Sequence, residues 1–139
     1  MLARTLIVTF LVGAAVGLGF GEEPEDIPDA RSFRSFLIRD LTKYFAPQYG
    51  DGITLEYQLF RDGPTITGVA YPKYYLWVTV MEAGKTRVEG AARVAAIQKH
   101  FEVTDFIFRE VIQKQPELLD RAFPKALIST IRDKASTDE

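Results

Sequence analysis

The stretch that decides the fold is residues 66–108, ITGVAYPKYYLWVTVMEAGKTRVEGAARVAAIQKHFEVTDFIF. It is rich in the β-branched and aromatic residues that favour strands, and Ala83-Gly84 is typical of a turn. We therefore predict strands within 66–82, 87–98 and 100–108. Because 66–82 would cover roughly 55 Å if fully extended, too long for a small domain, Pro72 must mark a break, bulge or bend.

Two further elements precede this stretch. Apolar residues alternate with polar ones from Ile53 to Leu59, which predicts a half-buried strand followed by a turn at Asp62-Gly63. Residues 30–46 have the apolar spacing of an amphipathic helix, with Asp29 as its N-cap and an end at Pro47. The expected inward stripe is Phe33, Phe36, Leu37, Leu41, Tyr44 and Phe45, with Phe36 and Leu37 in the core. Arg31, Arg34, Arg39, Asp40 and Lys43 are expected to face water.

The C-terminal third of the chain predicts short helices. A helical turn is expected over 109–115. Pro116 is expected to open a second helix, and a last helix should follow Pro124. Residues 134–139 are expected to be frayed. The fold class predicted from this order is α+β: an N-terminal helix packed on a curved antiparallel sheet of three to four strands, followed by short C-terminal helices. Small residues of the third sheet strand leave room for bulky neighbours: Gly90, Ala91, Ala92, Ala95 and Ala96.

This order of elements resembles the cystatin-like and nuclear-transport-factor-2-like α+β folds. The resemblance is architectural, covers about residues 30–110 and rests on no sequence motif. It implies a curved sheet wrapped on a helix, often with a pocket between them, and it implies no activity because such folds host many. The cystatin inhibitory motif Gln-x-Val-x-Gly is not met at Gln58, since Phe60 and Asp62 occupy its Val and Gly positions.

The N-terminus predicts export. Arg4 precedes an uncharged apolar run over residues 5–21, and acidic residues follow at once, the pattern of a signal peptide. The run is also at the lower edge of what spans a bilayer. We therefore predict a signal peptide over 1–21, an acidic linker over 22–29, one domain over 30–135 and a tail over 136–139. The expected location is periplasmic or secreted; the alternative is a membrane anchor formed by residues 5–21.

Composition excludes several chemistries. The chain of 139 residues has no Cys, one His and a net charge of -2, so we expect no thiol chemistry, no metal site, no cofactor and no nucleic-acid partner. Gly84-Lys85-Thr86 resembles the end of a phosphate-binding loop, but Thr79 stands where that motif needs Gly. No Gly-x-Ser-x-Gly elbow occurs. We predict no catalytic residues.

Four residues stand out as candidate ligand or partner contacts: Tyr71, Tyr75, Trp77 and His100. If strand pairing holds throughout, Tyr71, Tyr75 and Trp77 share one face of the sheet and Tyr74 takes the other. Such aromatics either pack across strands or form a binding surface. The leading hypothesis is an exported non-enzymatic accessory domain that binds another protein or a small apolar ligand. The alternatives are a small anchored subunit of a membrane complex and a pocket enzyme in which His100 moves a proton beside Glu102.

Overall fold

A computed structural model of the chain describes residues 25–137. The predicted signal peptide or anchor (1–21), the start of the linker (22–24) and the end of the tail (138–139) lie outside the described residues.

The first helix, α1, spans Ala30–Tyr49. Asp29 caps it as predicted, because its Oδ1 accepts a hydrogen bond from the Ser32 backbone N–H at 3.0 Å. The predicted end at residue 46 is wrong, since Pro47 lies inside the last turn. Proline removes one backbone hydrogen bond there, but the Gly50 N–H still donates to the Ala46 carbonyl at 2.8 Å and closes the turn.

Four antiparallel strands follow in the order in which they occur along the chain: β1 (Ile53–Leu59), β2 (Lys73–Glu82), β3 (Lys85–Ile97) and β4 (His100–Phe108). β2 pairs with β1, β3 with β2 and β4 with β3, so β1 and β4 are the two edges of an open sheet. β2 begins only after Pro72, as expected for a break at that residue. The predicted α+β class is confirmed.

The face of the sheet that meets α1 holds the larger core. Leu37, Leu41 and Phe45 are buried at spacings of one helical turn and pack on apolar side chains of all four strands. Phe36 flanks this line: it packs against the core but is only half-buried, with the Arg39 guanidinium 4.3 Å from its ring centre. The expectation that Tyr44 faces inward is wrong, since it is 47% exposed.

The small residues of β3 serve close packing, as predicted. Ala92 and Ala96 are fully buried on the α1 side. At Gly90 a Cβ atom would lie 2.2 Å from the Ile107 carbonyl oxygen and 2.9 Å from the Phe106 ring. The bulky neighbour at Gly90 is therefore β4 itself, and the Phe106 ring in turn meets Phe45 of α1 edge to face, with 5.0 Å between the ring centres.

A second core covers the opposite face of the sheet. α2 (Arg109–Lys114), a 3₁₀ helix (Pro116–Arg121) and α3 (Lys125–Ser136) follow β4. Their apolar side chains pack on Tyr75 and Trp77, whereas Tyr74 belongs to the α1 side. The predicted division of these three aromatics between the two faces is confirmed.

The end of the second layer is tied to the sheet by Arg109. Its guanidinium donates to the Ala135 carbonyl at 2.8 Å and to Glu89 at 3.2 Å, and Gln113 donates to the same carbonyl at 2.7 Å. Because these bonds satisfy carbonyls at the C-terminus of α3, residues 134–136 are helical and Ala135 is buried. The expectation of a frayed segment from residue 134 is wrong.

The described part of the acidic linker also contacts the domain. Asp26 holds the turn between β3 and β4: its carboxylate accepts from the Gln98 N–H at 2.9 Å, and its carbonyl accepts from the Lys99 N–H at 2.9 Å. Gln98 and Lys99 both have positive φ, 50° and 69°, which suits a tight hairpin turn. Pro28 is buried. The described part of the predicted linker therefore contacts the domain through Asp26, while Glu25 and Asp29 are exposed to solvent.

Candidate functional site

The first half of the β4 edge is occupied by α1. The Phe101 N–H points out of the sheet and donates to Asp40 Oδ2 at 2.8 Å. The Asp40 side chain is only 10% exposed, so the expectation that it faces water is wrong. A strand that approached this edge would have to displace the carboxylate.

The environment of Asp40 favours its charged form. Partial burial alone would raise the pKa of Asp40, but the hydrogen bonds from Arg39, at 2.8 Å, and from the Phe101 N–H lower it, as do the charge of Arg39 and the nearby His100. The net effect is a lowered pKa. Asp40 therefore keeps its charge, and with it the bond to β4, well into the acidic range.

A β-bulge at Thr104 interrupts the second half of the same edge. The register with β3 shifts between Arg93 and Val94, so that Thr104 is the extra residue. Its hydroxyl donates to the Arg93 carbonyl at 3.1 Å, and Arg93 forms an ion pair with Asp105 at 2.9 Å. The bulge also exchanges the two faces: Phe106 packs on the α1 side and Ile107 on the other. Simple alternation from Phe101 and Val103 would place Ile107 on the α1 side, so the bulge shifts that pattern by one residue.

His100 lies in an open groove of about 360 Å³ between α1 and β4. Its Nε2 is 3.4 Å from the Glu102 carboxylate, and the two side chains are 40% and 59% exposed. This is the pair that the sequence places side by side. The described residues that line the groove are Asp40, Lys43, Tyr44, His100, Phe101, Glu102 and Val103. That lining includes no Ser, Thr or Cys.

The β1 edge is regular and open. All seven of its residues pair with β2 without a register shift. Phe60 continues the ladder, and its N–H donates to the Tyr75 carbonyl at 2.8 Å. Since neighbouring residues of an antiparallel strand point alternately toward and away from their partner, the N–H and C=O groups of Leu55 and Tyr57 point outward. Within residues 25–137, no hydrogen bond is seen from these outward groups.

A small depression of about 110 Å³ lies beside β1 on the side of the C-terminal helices. Trp77 lines it but is only 2% exposed, and its indole N–H donates to Glu89 at 3.0 Å. Glu56 and Gln58 of β1 and Lys134 of α3 complete most of the wall. Trp77 is thus a core residue whose edge lies next to the open strand.

Tyr75 and Tyr71 are placed differently from each other. Tyr75 is 6% exposed, its ring centre lies 5.9 Å from that of Phe123, and its hydroxyl meets the Thr65 hydroxyl at 2.6 Å. Tyr71 precedes β2 and is 46% exposed. Strand pairing does not extend through Tyr71, because the ladder of β2 starts after Pro72. The four predicted contact residues therefore do not form one site.

Two wider features bear on function. Within residues 25–137, no group of three His, Asp or Glu side chains is placed to hold a metal ion. None of the helices in the same range combines the length and apolar character needed to cross a bilayer.

The fold and its edges thus define an α+β domain with one closed and one open sheet edge. Comparison of the chain with protein-family models, curated proteins and solved structures finds no match. The resemblance to cystatin-like and nuclear-transport-factor-2-like folds therefore stays a prediction, and function has to be argued from the geometry.

Proposed function

We propose that this chain is an exported, non-catalytic binding domain that accepts an extended segment of a partner protein along the outer edge of β1. The observation that carries the proposal is the regular edge of β1, where the outward backbone groups of Leu55 and Tyr57 have no hydrogen-bond partner among residues 25–137. Strand addition at such an edge is a common mode of peptide recognition, since main-chain hydrogen bonds supply affinity and adjacent pockets supply specificity. Export rests on the predicted signal peptide.

The interior of the domain favours a protein partner over a small apolar ligand. The middle of the space between α1 and the sheet is filled by Leu37, Leu41 and Phe45 together with the strand side chains beneath them. Its margins are open, in the groove beside His100 and in a pocket of about 400 Å³ beside Phe33 and Tyr74. A ligand in the middle of this space would have to displace fully buried residues, whereas an added strand along β1 would displace no hydrogen bond of residues 25–137.

The charge of β1 favours a foreign strand over a second copy of this one. If two β1 strands paired antiparallel over their full length through their outward groups, Glu56 of one would face Glu56 of the other. Like charges directly opposite destabilise a pair. We therefore expect the partner segment to carry a basic or hydroxyl-bearing residue opposite Glu56, with the depression beside Trp77 taking a neighbouring side chain.

Residue-specific photo-cross-linking tests the proposal in the intact chain. A benzophenone amino acid replaces Gln58 on the β1 edge and, as a matched control, Thr104 on the β4 edge; both positions are exposed. We expect a cross-linked partner from position 58 and little from position 104. In the purified complex, the amides of Leu55 and Tyr57 should exchange with deuterium more slowly than in the free chain.

Three results would contradict the proposal. Cross-linking from position 104 alone would move the binding surface to the other edge. Adducts with only a second copy of the chain would replace a foreign strand by self-association. Unchanged exchange at Leu55 and Tyr57 in the complex would show that the contact does not use the β1 backbone.

A further inference from the structure

The connection between β1 and β2 carries an exposed apolar tip. Residues 63–72, GPTITGVAYP, contain no charge. Among the described residues, five large apolar side chains are notably exposed, and three of them lie here: Ile66 at 54%, Val69 at 105% and Tyr71 at 46%. Clustered exposed apolar side chains of this kind mark a contact surface.

The tip is held on an ordered base. Thr65 and Lys73 form a two-way backbone bridge, with N···O distances of 2.9 and 3.0 Å, and the Thr65 hydroxyl meets Tyr75 at 2.6 Å. Within the tip, the Ala70 N–H donates to the Thr67 carbonyl at 3.1 Å, and Gly68 has a φ of 56° that favours glycine. Ile66, Val69 and Tyr71 therefore project from a defined turn.

The tip lies at the end of the sheet where the described chain begins. The Ala96 N–H donates to the Pro72 carbonyl at 2.9 Å, which places the base of the tip beside the end of β3. Asp26 holds the turn that immediately follows β3. The apolar run 5–21 is separated from Glu25 by three residues, and an extended chain covers at most about 3.6 Å per residue. Where residues 5–21 are retained as the alternative membrane anchor, the membrane is therefore close to the same end of the domain.

We propose that residues 66–71 form a membrane-contacting tip, in which Ile66, Val69 and Tyr71 enter the interfacial region of a lipid bilayer. The uncharged run brings no charge into the interface. Arg61, Asp62 and Lys73 flank it, two basic residues and one acidic, so the flanks carry a net charge of +1 that favours anionic headgroups. Tyr71 is of the side-chain type enriched at membrane surfaces, with an apolar ring and a polar hydroxyl. This inference makes no use of the β1 edge.

Site-specific fluorescence tests the proposal in the full chain. Because the sequence has no Cys, Val69→Cys provides a single site for an environment-sensitive nitrobenzoxadiazole label. Thr86→Cys is the matched control, exposed at the opposite end of the sheet. With vesicles of phosphatidylcholine and phosphatidylglycerol in equal parts, we expect the label at 69 to shift to the blue and to be quenched by nitroxide lipids. The label at 86 should have the same spectrum with vesicles as it has in buffer.

A second variant separates insertion by the tip from attachment by residues 5–21. A label at Thr67→Cys, within the same tip, should also shift to the blue with vesicles. Adding Ile66→Ser and Val69→Ser should abolish that shift. The thermal unfolding temperature should stay unchanged, because both side chains are exposed. Equal responses at 69 and 86, or none at either, would overturn the proposal. A blue shift at 69 already present without vesicles would also overturn it, since the tip would then be covered by protein.

Discussion

Each edge of this sheet has a row of backbone groups that could pair with another chain. The two edges differ in how these groups are protected. Along β4, Asp40 occupies the Phe101 N–H and the bulge at Thr104 breaks the register. Along β1, seven residues keep an unbroken ladder with β2, and among residues 25–137 no side chain bonds to its outward backbone groups. Natural sheets commonly protect their edges with charges and bulges. Because β1 has only the exposed charge of Glu56 and no bulge, its edge is a candidate for use.

The comparison also separates two roles of charged residues. Asp40 is 10% exposed and bonded to the neighbouring strand, whereas Glu56 is exposed on β1. The Asp40 carboxylate blocks the β4 edge. The Glu56 carboxylate can select which strand pairs with the β1 edge. Substitutions at these positions, and at the glycine that lets β4 approach β3, test whether the two edges differ in the way proposed.

The largest effect is expected at Gly90, on which the approach of β4 depends. In Gly90→Ala the new methyl group would lie 2.2 Å from the Ile107 carbonyl oxygen, so β3 and β4 must move apart. Overpacking of this kind costs about 3 kcal/mol of the free energy of unfolding, measured by denaturant titration. Gly63→Ala is the control, since nothing lies within 4 Å of its Cβ position. Equal stability of the two variants would show that β4 is not held as tightly as described.

An intermediate effect is expected at Asp40. Asp40→Ala removes a charged acceptor from the Phe101 N–H and should cost about 1 to 2 kcal/mol, with faster exchange of the Phe101 amide. Asp133→Ala, which removes an exposed helical carboxylate, should change little. If the Phe101 amide exchanged equally fast in both variants, Asp40 would not be what closes the β4 edge.

The Asp40 effect should also depend on pH. Because the pKa of Asp40 is lowered in the folded chain, the unfolded chain binds the proton more tightly. The contribution of Asp40 to the free energy of unfolding is therefore complete above its pKa in the unfolded chain, about 3.9. That contribution is lost as the pH falls through the lower pKa of the folded chain. The stability gap between the wild-type chain and Asp40→Ala should be constant near neutrality and close in strong acid. A gap that persists unchanged in strong acid would contradict this assignment.

The smallest effect on stability, and the sharpest test of the comparison, is a pair of charge reversals. Glu56→Lys and Glu102→Lys alter exposed residues of the two edge strands, so each should change stability by less than about 0.5 kcal/mol. Only Glu56→Lys should lower cross-linking from position 58, by about fivefold if one opposed charge pair is reversed. Equal losses in both variants would show that Glu56 does not select the partner.

Much of the fold follows from local signals. Alternation gives β1 as Ile53–Leu59, and the apolar run after Lys99 gives β4 as His100–Phe108, both with the bounds observed. The bulge at Thr104 gives no such signal, because an extra residue shows only against a paired strand. The helical end of α3 depends on Arg109, which is 26 residues from Ala135 along the chain, a bond that no local pattern predicts.

The candidate site is less accessible to sequence reasoning. Alternation through Thr54, Glu56 and Gln58 shows that one face of β1 is polar, but it does not say whether β1 lies in the middle of the sheet or at its edge. The aromatic cluster has the opposite difficulty. Its faces are predicted correctly, yet nothing in Tyr75 or Trp77 indicates that the C-terminal helices cover them.

The sequential order of the strands also bears on the order in which the sheet assembles. The turns at Ala83-Gly84 and Gln98-Lys99 join β2, β3 and β4 with minimal loops, whereas β1 must close the long connection 60–72 before it can pair. The entropy lost in closing a loop grows with its length, so β1 is expected to join the sheet last and to leave it first. Local opening of such a segment lies at the low end of a protein's stability range. β1, the strand whose edge is proposed to bind the partner segment, is then also the strand most able to change its pairing when that segment binds.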